Sequence, residues 1–192
     1  MIAIIKYNAG NTRSVLNAVT RLGYECVVTD NGEEVRNATH VILPGVGEAR
    51  SAMQYLKENK LDTVIKSLEQ PFLGICLGLQ LMCKHSEEND TDCLGIFDVM
   101  VKKFLPYQTV PHMGWNNLFT YDSVLFKNFS CEDNVYFVHS YYAEKGKHTT
   151  ASCDYIIPFS AALSHNNFYA TQFHPEKSGA TGEKILKNFL QL

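Results

Sequence analysis

An α/β fold with a mostly parallel central sheet flanked by helices is predicted by two patterns and a length. Up to about Asn89, short apolar runs alternate with segments of helical periodicity, as in a parallel sheet with right-handed crossovers and helices on both faces. Beyond it the apolar runs become short, aromatic and β-branched, separated by Pro, Gly, Asn and Asp, which makes the second half strand-rich. With 192 residues, no composition break that would mark a linker and no internal repeat, the simplest organisation is one domain over 1–192.

In chain order, "IAIIK" reads as a buried first strand, and the turn "YNAGN" leads into the helix "TRSVLNAVTRLG". There Val15, Leu16, Val19 and Leu22 share a face and Gly23 supplies a C-terminal cap. "YECVV" is a second strand and "HVILPGVG" a third that ends in a glycine-rich loop. "EARSAMQYLKENKL" and "DTVIKSLEQ" read as helices, and "PFLGI" as a fourth strand running straight into Cys76. "FDVMVKKF", "NNLFTY", "NVYFVHSYY", "HTTASCDY", "FSAALSH" and "FYATQF" follow as strand-like runs. "TGEKILKNFLQL" returns to helix, with Ile185, Leu186, Phe189 and Leu190 on one face. "VPHMGWNN", rich in Pro, His and Gly, reads as a loop around the single tryptophan, Trp115.

Composition excludes several classes. Twenty acidic against 17 basic residues give a formal charge of −3, and the paired Lys102 and Lys103 stand alone, so no clustered basic footprint for nucleic acid is present. The start is too short an apolar run for a signal peptide and is interrupted by Lys6; no stretch has the length of a membrane span. Six cysteines are scattered through apolar segments without CxxC spacing, which predicts reduced thiols in the cytoplasm and no structural zinc site.

Chemistry concentrates in three loops expected at the carboxyl ends of strands. "GICLGLQ" places Cys76 between Gly74 and Gly78 at a strand-to-helix corner, the form of a nucleophile elbow with Cys for Ser. The same pattern also suits a small core cysteine at a tight turn, as Cys83 does in "LQLMCKH". The helix that follows brings its positive end and the Leu77 N–H to bear on whatever the sulfur attacks, and such ends favour thiolates. "QFHPEKS" sets His174 and Glu176 two residues apart on one side of an extended segment, a base and the carboxylate that orients it. Its plainer reading is a His-Pro turn with a solvated Glu. "PGVG" (Gly45, Val46, Gly47) can present backbone N–H groups to a developing oxyanion, or be an ordinary turn; it lacks the third glycine of a dinucleotide site.

The order "PGVG", "GICLGLQ", "FVHSY", "QFHPEKS" resembles the class I glutamine amidotransferases over essentially the whole chain. "PHMGWN" together with "HPEKS" resembles one branch, the glutaminase subunits of imidazole glycerol phosphate synthase. The resemblance implies a flavodoxin-like α/β fold, glutamine as substrate and a Cys76–His174–Glu176 triad that needs neither cofactor nor metal. It also implies an oxyanion held by the Leu77 N–H and the backbone of Gly45, Val46 and Gly47, and substrate contacts from Gln80, Ser140 and Tyr141. It implies a heterodimer in which a (β/α)₈-barrel cyclase meets Pro111, His112, Met113, Trp115, Asn116 and Lys177. Without it, composition favours a core tryptophan, and Lys177 is equally a solvated surface lysine.

Competing readings stay open at this level: a glutaminase feeding another synthase, a thiol hydrolase on the same kind of sheet, and a non-catalytic binding subunit. "PHMGWN" speaks against synthases of pyridoxal phosphate and purines more than against surface-sugar amidotransfer, and the intact triad against the binding subunit. One departure from the family is visible. Its first turn commonly reads aromatic-Gly-x-Gly-Asn, where this chain has Tyr7, Asn8, Ala9, Gly10 and Asn11; a structural turn is the expectation there, against a phosphate cradle.

Overall fold

The computed structural model describes residues 1–8 and 11–192, so the centre of the Tyr7-to-Asn11 turn lies outside the described residues. Strand β1 (Ile2–Ile5) leads through helix α1 (Thr12–Arg21) to β2 (Cys26–Thr29), α2 (Gly32–Asn37) and β3 (His40–Leu43). Helices α3 (Ala49–Glu58) and α4 (Leu61–Lys66) precede β4 (Phe72–Ile75), which runs into α5 (Leu77–Met82). Short strands β5 (His85–Ser86) and β6 (Thr91–Asp92) are followed by β7 (Met100–Lys103), β8 (His112–Asn117) and β9 (Thr120–Tyr121). Then come β10 (Asn134–His139), β11 (Tyr141–Ala143), β12 (Thr149–Tyr155), β13 (Ile157–His165), β14 (Phe168–Thr171) and the closing helix α6 (Gly179–Leu190).

The order β2-β1-β3-β4-β14 forms a continuous parallel run, and β13, β11 and β7 extend it with antiparallel pairs. The α/β expectation holds: a parallel sheet flanked by helices is extended by strands of the second half. Along β3 the side chains alternate between two cores, Val41 and Leu43 toward α3 and α4, Ile42 toward α1 and α6. Both faces are therefore apolar, as a sheet covered on both sides requires.

Local chemistry sets the helix ends. Asn11 caps α1 by accepting from the Ser14 N–H, and Gly23 at φ +88° ends it as expected. The Glu48 carboxylate caps α3 through the Arg50 and Ser51 N–H groups, both at 2.8 Å. Helix α2 was not expected. Its signals are the Asn31 side chain, which accepts from the Glu33 N–H, and the acidic Glu33 and Glu34 in its first turn.

One expectation is corrected. "PHMGWN" is not a loop but strand β8, paired antiparallel with β10 so that Trp115 faces Tyr136 and His112 faces His139. Cross-strand pairing overrides the local Pro and Gly signals. The strand's alternation turns His112 inward and leaves Met113 and Trp115 63% and 58% exposed.

Candidate active site

Cys76 directly follows β4 with φ +53° and ψ −104°, a backbone conformation rare for a residue with a side chain, and α5 begins at the next residue. The corner is held from both strands beside it. The Cys76 N–H donates to the Thr171 carbonyl at 2.7 Å, and β4 and β14 run parallel with Ile75 opposite Thr171. Close packing explains the glycines: a Cβ on Gly78 would stand 2.1 Å from the Leu43 carbonyl oxygen, and one on Gly45 2.5 Å from the Leu77 Cβ. The "PGVG" loop can press on the elbow only because those side chains are missing. Tyr7 fixes the start of that loop by donating its hydroxyl to the Pro44 carbonyl at 2.5 Å.

His174 follows β14, two residues beyond Gln172, and its N–H donates to the Tyr136 carbonyl of β10 at 2.9 Å. Ser178 locks the turn, donating its hydroxyl to the His174 carbonyl and accepting the Tyr136 N–H. The His174 Nδ1 and the Glu176 Oε1 lie 2.8 Å apart, and each side chain is 1% exposed. Nδ1 therefore carries the proton toward the carboxylate, and Nε2, which has no hydrogen-bond partner among the described residues, is left for the reacting side. Burial opposes a charged ring, yet negative charge on the neighbouring Cys76 sulfur, and then the Glu176 carboxylate, outweigh it and push His174 up to about 10. The ring is thus held protonated beside the sulfur.

Cys76 and Leu77 open into a cleft of about 320 Å³, walled on one side by Val46 and Gly47 and on another by Ser140 and Tyr141. Gln80 sits in its wall with both amide hydrogens committed: Nε2 donates to the Tyr141 carbonyl at 2.9 Å and to the Gln172 Oε1 at 3.1 Å. It can offer a ligand only its carbonyl oxygen. The cleft also holds the Glu88 carboxylate, which accepts from the Ala49 N–H at 2.8 Å and whose pKa is raised by burial and by Glu48. A cysteine, a donor-poor amide and a carboxylate around one amino-acid-sized space suit a zwitterion with a reactive side-chain carbonyl.

A family model for the class-I glutamine amidotransferases matches residues 3–192. The chain belongs to the class-I glutamine amidotransferases. Among its relatives, a Bacteroides fragilis protein is 59% identical over 194 residues, covering 100% of this chain and 99% of that one, and is named imidazole glycerol phosphate synthase subunit HisH. The Pasteurella multocida protein of the same name is 47% identical over 99% of this chain and 97% of its own. Solved structures share the fold at low identity. A GMP synthase protein from Thermoplasma acidophilum superposes with a TM-score of 0.76 at 20% identity, covering all of this chain and 92% of its own. PurLQS from Thermotoga maritima gives 0.75 at 15%, covering 99% of this chain and 97% of its own.

The expected site residues of this amidotransferase divide in three. Cys76, Leu77, Gln80, Val46, Gly47, Ser140 and Tyr141 meet in the cleft, with His174 and Glu176 buried behind the sulfur. Gly45 does not reach the cleft; it is buried against Leu77 and Gly78 and acts by close packing. Of the expected partner-facing residues, Met113, Trp115 and Lys177 are exposed, Asn116 is half-buried and Pro111 lines the cleft. His112 is corrected outright: at 3% exposure, stacked on Tyr155 and Phe137, it faces the interior.

Sequence reasoning missed Gln172, Glu88 and His139. Gln172 is fully buried, accepts from Gln80 and donates to the Cys76 Sγ at 3.5 Å; its signal was its place two residues before His174. His139 pairs across the β8–β10 ribbon with His112. Burial pushes His112 down to about 4, while burial, with smaller effects from His112 and His174, pushes His139 down to about 3. An unfolded chain protonates such rings near pH ~6.5, so between that pH and about 4 the unfolded state holds protons the folded state refuses. Stability is therefore expected to fall as pH drops through this window. Denaturant midpoints at pH 7 and pH 5 should show a smaller drop in His112→Asn than in the native chain.

Proposed function

We propose that this chain is the glutaminase subunit of an imidazole glycerol phosphate synthase, hydrolysing glutamine to glutamate and ammonia in the cytoplasm. The ammonia would pass to a (β/α)₈-barrel cyclase that makes imidazole glycerol phosphate and an aminoimidazole carboxamide ribonucleotide in histidine biosynthesis. The observation that carries the reading is the Cys76 elbow set against the buried His174–Glu176 pair, at an amino-acid-sized cleft. The branch rests on relatives at 58% and 59% identity over the full length that bear that subunit's name.

In this reading the Cys76 sulfur adds to the carboxamide carbon of glutamine, and the displaced carbonyl electrons rest on oxygen near the Leu77 N–H and the backbone of Val46 and Gly47. Collapse breaks the C–N bond as His174 gives its Nε2 proton to the leaving nitrogen, releasing ammonia and leaving a γ-glutamyl thioester. Water, deprotonated by the now neutral ring, attacks the thioester, and the sulfur departs as thiolate beside a restored imidazolium. Glu176 keeps the ring oriented throughout. Glu88 faces the α-ammonium, and the Gln80 oxygen accepts from substrate N–H groups. Exposed Met113 and Trp115 on β8, with Lys177 nearby in sequence to the triad, form the docking face for the cyclase; aromatic anchors of this kind dominate many interfaces.

The test is reconstitution. The purified chain is mixed with the cyclase encoded by the same organism, and complex formation and glutamine-dependent production of imidazole glycerol phosphate are followed. A 1:1 complex that turns over glutamine is expected. A cyclase that neither binds the chain nor raises its glutaminase activity overturns the branch, whatever the chain does to glutamine alone.

A further inference from the structure

The proton positions in the buried polar chain behind the cleft follow from one fixed point. The Tyr141 carbonyl can only accept, and it lies 2.8 Å from the His139 Nδ1, so that nitrogen carries a hydrogen. The ring is buried and neutral, which leaves its Nε2 as an acceptor. His112 Nδ1, 3.0 Å away, must then be the donor to it. His112 Nε2 in turn accepts from the Asn116 Nδ2 at 3.3 Å, and the second hydrogen of that amide goes to the Asp154 carbonyl at 3.2 Å. No alternative tautomer satisfies every contact.

From Tyr141 the order continues toward the sulfur. The same carbonyl takes the Gln80 Nε2 on its second lone pair, so His139 and Gln80 share one acceptor. Gln80 also donates to Gln172, and Gln172 donates to the Cys76 Sγ. We propose that His139, oriented by His112, is a positioning residue for the reaction: by holding the Tyr141 carbonyl it fixes the Gln80–Gln172 amide pair that shapes the glutamine site beside the Cys76 sulfur. Removing the ring releases the carbonyl on the wall of the cleft and lets the two amides rotate. The pocket then loses its acceptor pattern while the thiol itself remains. This deepens the glutaminase reading and rests on it.

Asn and Leu share the same branched arrangement of side-chain heavy atoms, but only Asn can donate to the Tyr141 carbonyl, so His139→Asn and His139→Leu differ chiefly in hydrogen bonding. The full chain is treated with 6-diazo-5-oxo-L-norleucine, a glutamine-shaped electrophile, and separately with iodoacetamide, and labelling at Cys76 is timed by peptide mass spectrometry. His139→Leu is expected to slow the glutamine-shaped reagent about ten- to hundredfold, the range that follows when a buried hydrogen bond is removed and its acceptor is left unsatisfied. Iodoacetamide should change by less than about threefold, and His139→Asn should restore most of the rate. If His139→Leu does not fold, His112→Leu against His112→Asn makes the same comparison one step out, with the same direction and a smaller effect. Native-like labelling of the folded Leu variant by both reagents, or equal slowing of both, overturns the proposal. A native chain that the glutamine-shaped reagent fails to label overturns the glutaminase reading itself, and this inference with it.

Discussion

Replacing Cys76 with Ser is expected to abolish glutamine-dependent turnover by the reconstituted complex while ammonia-dependent turnover stays at the native rate. The hydroxyl differs from the thiol by one smaller atom, so the elbow at φ +53° should persist and the unfolding midpoint should move little. What changes is reactivity. A serine hydroxyl is far less acidic and less nucleophilic than a thiol, so beside the protonated His174 ring it gives no comparable nucleophile and no thioester equivalent accumulates. Loss of a nucleophile that acts as a unit with its base lowers kcat by about 10⁴-fold or more. Ammonia supplied from solution bypasses the cleft altogether. The measurement is product formation with glutamine and with ammonium as alternative nitrogen donors; retention of the glutamine route would remove Cys76 from the chemistry.

Much of the fold was legible because burial and periodicity agreed with each other. The apolar runs "IAII" and "VIL" read as strands covered on both faces, and Val15 and Val19 one helical turn apart fixed the inner face of α1. Helix α2 escaped because one turn and a half with a single buried residue, Val35, carries almost no periodic signal. Strand β8 escaped for the opposite reason. Its local residues read as a loop, and the hydrogen bonds that make it a strand come from β10, some twenty residues on.

The same division runs through the site. Cys76, His174 and Glu176 sit in motifs whose local geometry explains itself: a glycine-flanked corner, and a His-Pro-Glu turn. Gln172 and His139 lie among aromatic strand residues, and their partners are 96 residues away for Gln172 to Cys76 and 27 for His139 to His112. Such pairings are set by sheet order, which no local pattern records. Glu88 reaches the cleft from the short β5–β6 connection and reads in sequence as one of several solvated acids.

Glu176→Gln is expected to lower kcat for glutamine about 10²- to 10⁴-fold with little change in KM, as when the orienting carboxylate of a triad is neutralised. The carboxamide has nearly the shape of the carboxylate, so the 2.8 Å contact to the His174 Nδ1 can form with an amide oxygen or, after a flip, with an NH₂ that cannot accept. Either way the buried negative charge is gone. His174 then keeps the burial that opposes its charge and the Cys76 charge that favours it, but loses the carboxylate's share, so its pKa drops below about 10. A ring that must be protonated to release ammonia is lost at lower pH when its pKa falls, so the alkaline limb of the kcat/KM profile should move to lower pH. Glutamine binding should survive, because Gln80, Glu88 and Tyr141 line the cleft and Glu176 does not. Steady-state kinetics across pH 6 to 10 on the reconstituted complex separate the outcomes. An unmoved alkaline limb, or a loss confined to KM, would make Glu176 a residue of the fold and leave His174 to act unaided.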